Sequence, residues 1–240
     1  MQSWYDWAIP DMPTFCGCGA RNSIDHALAC KKGGYPILRH NAIRDTTALI
    51  MREAGCVDVQ VEPGLRDCSK DTSLRNRTNT QAGARLDVSA RGIFGTFERT
   101  FCDVRVSHPN CPSSVYKPIA DIYKEHEAAK RAEYEERVLQ TEKGSFVPMI
   151  FTTSGGMGPA CKNMLKRLAQ KIAEKRGESY PDVINHIRTR IRFSLLRGVL
   201  IALTGERGTP SNRHEKTRED HDMYNVNFNL VPKLRSYEPQ

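Results

Sequence analysis

The sequence predicts a mixed α/β fold whose core runs helix, strand, strand, strand, helix, strand. Three observations predict it. Residues 84–106 read as two strands joined by a hairpin: ARLDVSA and TFERTFCDVRV alternate apolar and polar residues around the turn RGIFG. A helical pattern precedes this pair over 39–54, with a short alternating stretch, 56–62, between them. A long charged helix follows over 116–142, and an apolar run at 146–152 supplies the last strand. The chain divides into an aromatic lead-in with a cysteine- and histidine-bearing module (1–34), an α/β domain with C-terminal helices (35–204), and a polar tail (205–240) expected to be mostly disordered.

Taken in order, the lead-in carries Trp4, Tyr5 and Trp7 and reads as a packing segment. Cys16, Cys18, His26 and Cys30 then follow in the spacing C-x-C-x7-H-x3-C. Three thiolates and one imidazole suit tetrahedral Zn²⁺, and Gly17 and Gly19 allow a tight turn around an ion. His26 and Cys30 are four residues apart, so a short helix starting near Ser23 puts both on one side. With all four positions filled, such a module is structural or grips nucleic acid. Gly33-Gly34-Tyr35-Pro36 is a break. In the helix at 39–54, Ile43, Thr47, Ile50 and Met51 recur at helical spacing, and Gly55 ends it. The stretch 66–83 is polar and predicts an exposed loop.

The paired strands each carry one acid, Asp87 and Asp103. The pleat places Phe101, Asp103 and Arg105 on one face and Cys102, Val104 and Val106 on the other. A carboxylate on so apolar a strand loses hydration, which is costly without a partner. Two of them on adjacent strands can be accommodated by Mg²⁺, which often uses only one or two carboxylates. In the helix at 116–142, Pro118 suits the first turn. Tyr123, His126, Lys130 and Tyr134 share a face there; for Tyr123 and His126 a solvated surface is expected. Residues 154–158 are glycine-rich but lack the Gly-Lys-Ser/Thr of a P-loop, and read as a strand-to-helix turn. Two helices close the pattern, at 159–176 and 182–203. Both are basic on the outside, through Lys162, Lys166, Arg167, Lys171 and Lys175 on the first and Arg188, Arg190, Arg192 and Arg197 on the second.

The formal charge is +8, an excess that suits a polyanion such as nucleic acid. No run is long enough to span a bilayer and no secretory signal is visible, so an intracellular protein with no membrane partner is expected. Of the eight cysteines, Cys56, Cys68, Cys102, Cys111 and Cys161 show no ligand spacing and are read as core or incidental residues.

On these residues the chain resembles the restriction-enzyme-like endonuclease region of non-LTR retrotransposon polyproteins, within the PD-(D/E)XK nuclease superfamily. There a Cys-Cys-His-Cys knuckle precedes an Arg/Lys-Pro-Asp strand, a second acidic strand, and a helix bearing Lys and Tyr. Here the same parts read Cys16, Cys18, His26, Cys30; Arg85-Leu86-Asp87; Asp103; and Lys130 with Tyr134, with Arg39-His40-Asn41 at the start of the first helix. The resemblance runs from about residue 16 to 151 and contains no reverse transcriptase motif. It implies a restriction-endonuclease-like αβββαβ core. It also implies metal-dependent nicking of target duplex DNA, with Asp87 and Asp103 holding Mg²⁺ or Mn²⁺ and a product 3′ hydroxyl that primes reverse transcription. The implied partners are that DNA, the element's RNA, and a reverse transcriptase polyprotein of which the chain is a part or an associate; the implied place of action is the nucleus. Glu53 occupies a position where some members place a third acid, although a surface pairing role is expected of it.

Two departures bear on catalysis. Leu86 stands where the family has proline, which a strand tolerates. Arg105 stands where a lysine is usual; arginine is a poor base but can hold a phosphate. Lys130 is therefore ranked above Arg105 as the catalytic cation. The same departures leave open a second reading, a catalytically degenerate zinc-containing nucleic-acid-binding module, and a third, a zinc-stapled scaffold without nucleic acid.

Overall fold

The computed structural model describes residues 12–68, 73–74 and 77–205. Most of the aromatic lead-in (1–11) and the polar tail from 206 onward lie outside the described residues. The elements are α1 (Ile24–Ala29), α2 (Tyr35–Glu53), β1 (Val57–Val61), β2 (Val88–Arg91), β3 (Arg99–Ser107), α3 (Ile119–Arg137), β4 (Ser145–Thr152), α4 (Pro159–Arg176) and α5 (Tyr180–Thr204). From α2 to β4 this is the expected helix, strand, strand, strand, helix, strand. The four strands form one sheet in the order β1-β2-β3-β4, antiparallel except for the parallel β3–β4 pair. A parallel pair needs a crossover, and α3 provides it.

The alternation in β3 separates two cores. Cys102 and Val104 join the larger one, with Ile43, Ile50 and Met51 of α2, Met164, Leu165 and Leu168 of α4, and Ile187, Ile191 and Leu195 of α5. Phe101, one step out of phase, joins the smaller one under α3, with Leu65, Leu86, Tyr134, Val138 and Phe146. Leu86 is 2% exposed, so its side chain is packing material. Helices α2 and α5 approach closely because Gly198 faces Arg39: a Cβ there would come within 2.7 Å of the Arg39 side chain. Strand β1 is an exposed edge. A register shift between Val57 and Gln60 and the charge of Asp58, which pairs with Arg91 and Arg99, make it a poor template for further pairing.

Four details differ from the sequence pattern. Helix α2 begins at Tyr35, because Pro36 is tolerated in a first turn and the break is confined to Gly33 and Gly34, both at positive φ. The long charged helix starts at Ile119 and its last turn, Val138–Glu142, widens to π geometry before Lys143 turns back. Tyr123 is buried and its hydroxyl meets Thr152 Oγ1 at 3.4 Å, so it belongs to the α3–β4 contact and not to a solvated face. The 66–83 loop is anchored more than its polarity suggests. Arg137, fully buried, donates to the carbonyls of Arg66 (2.7 Å), Asn79 (2.7 Å) and Gln81 (3.1 Å), and Leu65, Cys68 and Thr78 are buried with it.

A charged donor spread over three carbonyls makes the loop dependent on one side chain. Arg137→Met is expected to lower the unfolding free energy by about 3 kcal/mol, measured by urea denaturation, since it orphans buried acceptors. A change well under about 1 kcal/mol would show that the loop is held by something else.

Candidate functional site

Two groups of chemically capable residues are brought together. The first is the cysteine and histidine module. Cys16 N–H donates to Ala20 O at 2.9 Å and Gly19, at φ 91°, closes the turn. Ser23 caps α1 by accepting the His26 N–H at 3.1 Å, and the helix carries His26 and Cys30 on one side as their spacing requires. The ligand atoms of Cys16, Cys18, His26 and Cys30 all lie within 4.8 Å of one another. Cys16 Sγ and Cys30 Sγ are 3.8 Å apart and Cys18 Sγ is 3.3 Å from His26 Nε2. Zinc–sulfur bonds of about 2.3 Å in a tetrahedron place two sulfurs about 3.8 Å apart, so the cluster could hold a zinc ion. A backbone hydrogen bond at Ala20 pulls the Cys18 thiol down, which favours the thiolate a metal requires. Among the described residues this is the one cluster of three or more such ligand groups.

The module is tied to the rest of the molecule at three points. Both terminal nitrogens of buried Arg39 donate to Leu28 O at 3.3 Å. Leu28 packs with Tyr35, Val199 and Ala202. Asp25 meets His108 Nε2 at 2.8 Å, and His108 Nδ1 meets Thr153 Oγ1 at 2.8 Å, joining α1 to the loops after β3 and β4.

The second group lies where β2 and β3 part. Val88 pairs with Cys102, so Asp87 falls opposite Asp103 one step beyond. Asp87 precedes β2 instead of lying within it, and its N–H reaches back to Cys102 O at 3.1 Å. Its carboxylate fills the gap this leaves: Oδ2 accepts the Val104 N–H at 2.6 Å, and Oδ1 contacts His40 Nε2 at 2.8 Å. The hydrogen bond to Asp87 is the chief reason the His40 imidazole sits above its ordinary value, and the charge of Asp103 adds to it. Asp103 is 7% exposed. Lys130 Nζ meets its Oδ2 at 2.9 Å as an ion pair, and among the described residues no other donor reaches that buried oxygen.

Burial pushes the Asp103 carboxyl up to about 6; Lys130 opposes the shift and the Asp87 charge reinforces it. Burial would also lower the Lys130 ammonium, but Asp103 and then Glu133 more than reverse this. The pair is thus asymmetric, with a cation held charged beside a deeper carboxylate that one cation does not fully compensate.

Among the described residues no ion pair joins Arg105 to Asp87 or Asp103; its charge is felt at His126, whose imidazole burial and then Arg105 lower. Glu53 is engaged elsewhere, 2.7 Å from Arg190 and 3.4 Å from Arg176, as a surface-paired acid would be. The contribution of α2 to the acidic group is His40, with Arg44 one turn on, held by Asp45 and Glu62. Periodicity could not have found His40, since its partner is 47 residues away. Its only sequence signal is the Arg-His-Asn triplet. Comparison with protein-family models and with curated proteins finds no match.

One equivalent of Zn²⁺ should bind the chain, and Co²⁺ should give the thiolate charge-transfer bands of a tetrahedral site. Cys18→Ser should weaken binding by more than about a hundredfold, since loss of an outer-shell partner alone costs ~10–100-fold. Binding that ignores this substitution would place the metal elsewhere.

The Asp103 shift has a defined pH consequence. A carboxyl whose folded value is raised favours folding while protonated, so its contribution is full below pH 3.8 and is lost as pH rises through about 6. The loss amounts to about 3 kcal/mol for a shift of this size. Urea unfolding from pH 4 to 7 should show this decline in the parent and not in Asp103→Asn; parallel curves would refute the burial argument.

Proposed function

We propose that this chain is a metal-dependent DNA endonuclease that hydrolyses a phosphodiester at the Asp87–Asp103–Lys130 group, on a restriction-endonuclease-like αβββαβ core. The observation that carries the reading is the buried Asp103 Oδ2, which has the Lys130 ion pair and no further donor among the described residues, so that burial still outweighs its one cation. Such an oxygen suits a small divalent cation, and Asp87 alongside offers further lone pairs beyond the two contacts it makes. Magnesium bound there would supply the Lewis acidity that activates water and draws charge from a scissile phosphate.

The chain's own residues account for the remaining work. Lys130, kept protonated, would offset the negative charge that grows on the phosphate in the transition state. His40, held by Asp87, fixes that carboxylate's direction and presents a second cation when protonated. Tyr134 lies under the Lys130 ammonium, 5.3 Å from ring centroid to Nζ, and limits where that side chain can swing. The +8 charge suits a duplex substrate, and the zinc module fits a role in gripping or orienting it. In this reading the chain serves retrotransposon integration, in the nucleus, alongside a reverse transcriptase.

One observation favours the degenerate, binding-only reading: both Asp87 oxygens are already engaged, by His40 and by the Val104 N–H, as in a purely structural cap on a strand opening. Plasmid nicking in Mg²⁺ separates the two. Zinc-loaded parent protein should convert supercoiled to open-circular plasmid, Asp103→Asn should be inactive, and Lys130→Ala should be slower by ~100-fold or more, the usual cost of removing a stabiliser of transition-state charge. Equal nicking by parent and Asp103→Asn, or none by either, would leave the binding-only module.

A further inference from the structure

A second surface, away from the acidic pair, carries features the nicking reaction does not use. The turn between β2 and β3 spans residues 92–98 and holds two exposed phenylalanines: Phe94 is 44% exposed and Phe97, three residues on, 86%. Neither ring joins the described cores. A lone exposed aromatic needs no explanation, but two on one short turn beside free cations do.

The cations come from α4. Arg167 Nε donates to Ile93 O at 3.4 Å, which holds the turn against that helix. An open groove of about 800 Å³ lies along this contact, lined by Phe94, Lys166, Arg167, Gln170 and Tyr180 among others. Lys162 lies one helical turn before Lys166, on the same side. Both lysines are exposed, and among the described residues no carboxylate pairs with either. The groove's acids, Glu174 and Glu178, belong to the C-terminal end of α4 and the residues after it, so the end nearer Lys162 is positive and the far end is not.

Exposed rings on a turn held against a helix that bears unpaired lysines suit a single nucleic-acid strand. Unstacked bases offer π-faces to aromatic side chains, and the phosphates between them take the cations. A duplex hides those faces and would use only the charge. Gly92 lies five steps along the chain from Asp87, about 17 Å of strand, and α4 packs on the sheet face opposite α3, so this surface stands apart from the acidic pair.

We infer that the Phe94/Phe97 turn and the Lys162–Lys166 side of α4 form a docking surface for single-stranded DNA, the form in which a strand leaves a nicked duplex. The assignment to DNA rests on the nuclease reading; the surface itself does not. The strand stacks on Phe94 and Phe97 and lays its phosphates along α4.

The test uses the zinc-loaded 240-residue chain carrying Asp103→Asn, in magnesium-free buffer, so that binding is read without cleavage. Fluorescein-labelled oligo-dT, oligo-rU and a duplex are titrated by anisotropy. Phe94→Ala/Phe97→Ala should weaken oligo-dT binding by about tenfold or more, from the loss of base stacking, and leave duplex binding unchanged. Lys162→Gln/Lys166→Gln should flatten the salt dependence of log affinity by about 1.4, two phosphate contacts on a single strand. Both pairs are exposed, so an unchanged thermal midpoint should accompany these effects. Equal oligo-dT affinity in the phenylalanine variant and its parent overturns the proposal and leaves the face for a protein partner. Tighter binding of oligo-rU than oligo-dT overturns the assignment to DNA. A parent that fails to nick yet shows the phenylalanine-dependent binding sinks the hydrolytic reading alone.

Discussion

The structure's chemistry depends on one uneven balance, the burial of Asp103 against the single cation of Lys130. A surface ion pair would leave an aspartate near or below its ordinary value. Here removal from water outweighs the attraction of an ammonium 2.9 Å away, and the carboxyl titrates near 6. Burying charge costs several kcal/mol per ion, and a single cationic neighbour does not recover it. Folding tolerates the deficit because β3 is the central partner of both β2 and β4, and its alternation commits Phe101 to one core and Cys102 and Val104 to the other. Asp103 cannot leave its position without moving both.

The same strand explains why Asp87 comes close. Regular pairing would make Asp87 an ordinary strand residue. The strands instead part after Val88–Cys102, and the Asp87 carboxylate takes over a backbone acceptor's task by receiving the Val104 N–H. That bond and the His40 contact from α2 hold the side chain from two sides. A sheet that opens at one point, with a charged group closing the opening, is a way to place two acids together without a dedicated loop.

Elsewhere, buried arginines do structural work that composition would assign to a surface. Arg137 organises the loop after β1, and Arg39 ties the zinc-competent module to α2. Burial lowers the Arg39 guanidinium to about 10, still high enough to stay charged. Together with the Asp25–His108–Thr153 chain, these contacts make the module continuous with the α/β core. Among the described residues no helix is long and apolar enough to cross a membrane.

Much was legible from sequence because it is local. The periods of α2, β3 and α4, the spacing of Cys16, Cys18, His26 and Cys30, and the two faces of FCDVRV follow from backbone geometry alone. The pairing of Lys130 with Asp103 is a contact that only the packing of α3 on β3 makes. What only the tertiary structure decided are the contacts between residues far apart in the chain: His40 with Asp87, Arg137 with its three carbonyls, Glu53 with Arg176 and Arg190, and Tyr123 with Thr152. A periodic pattern says which face of an element is apolar. It does not say what the facing element presents, and burial, which sets the charge state of Asp103, is a property of that pairing.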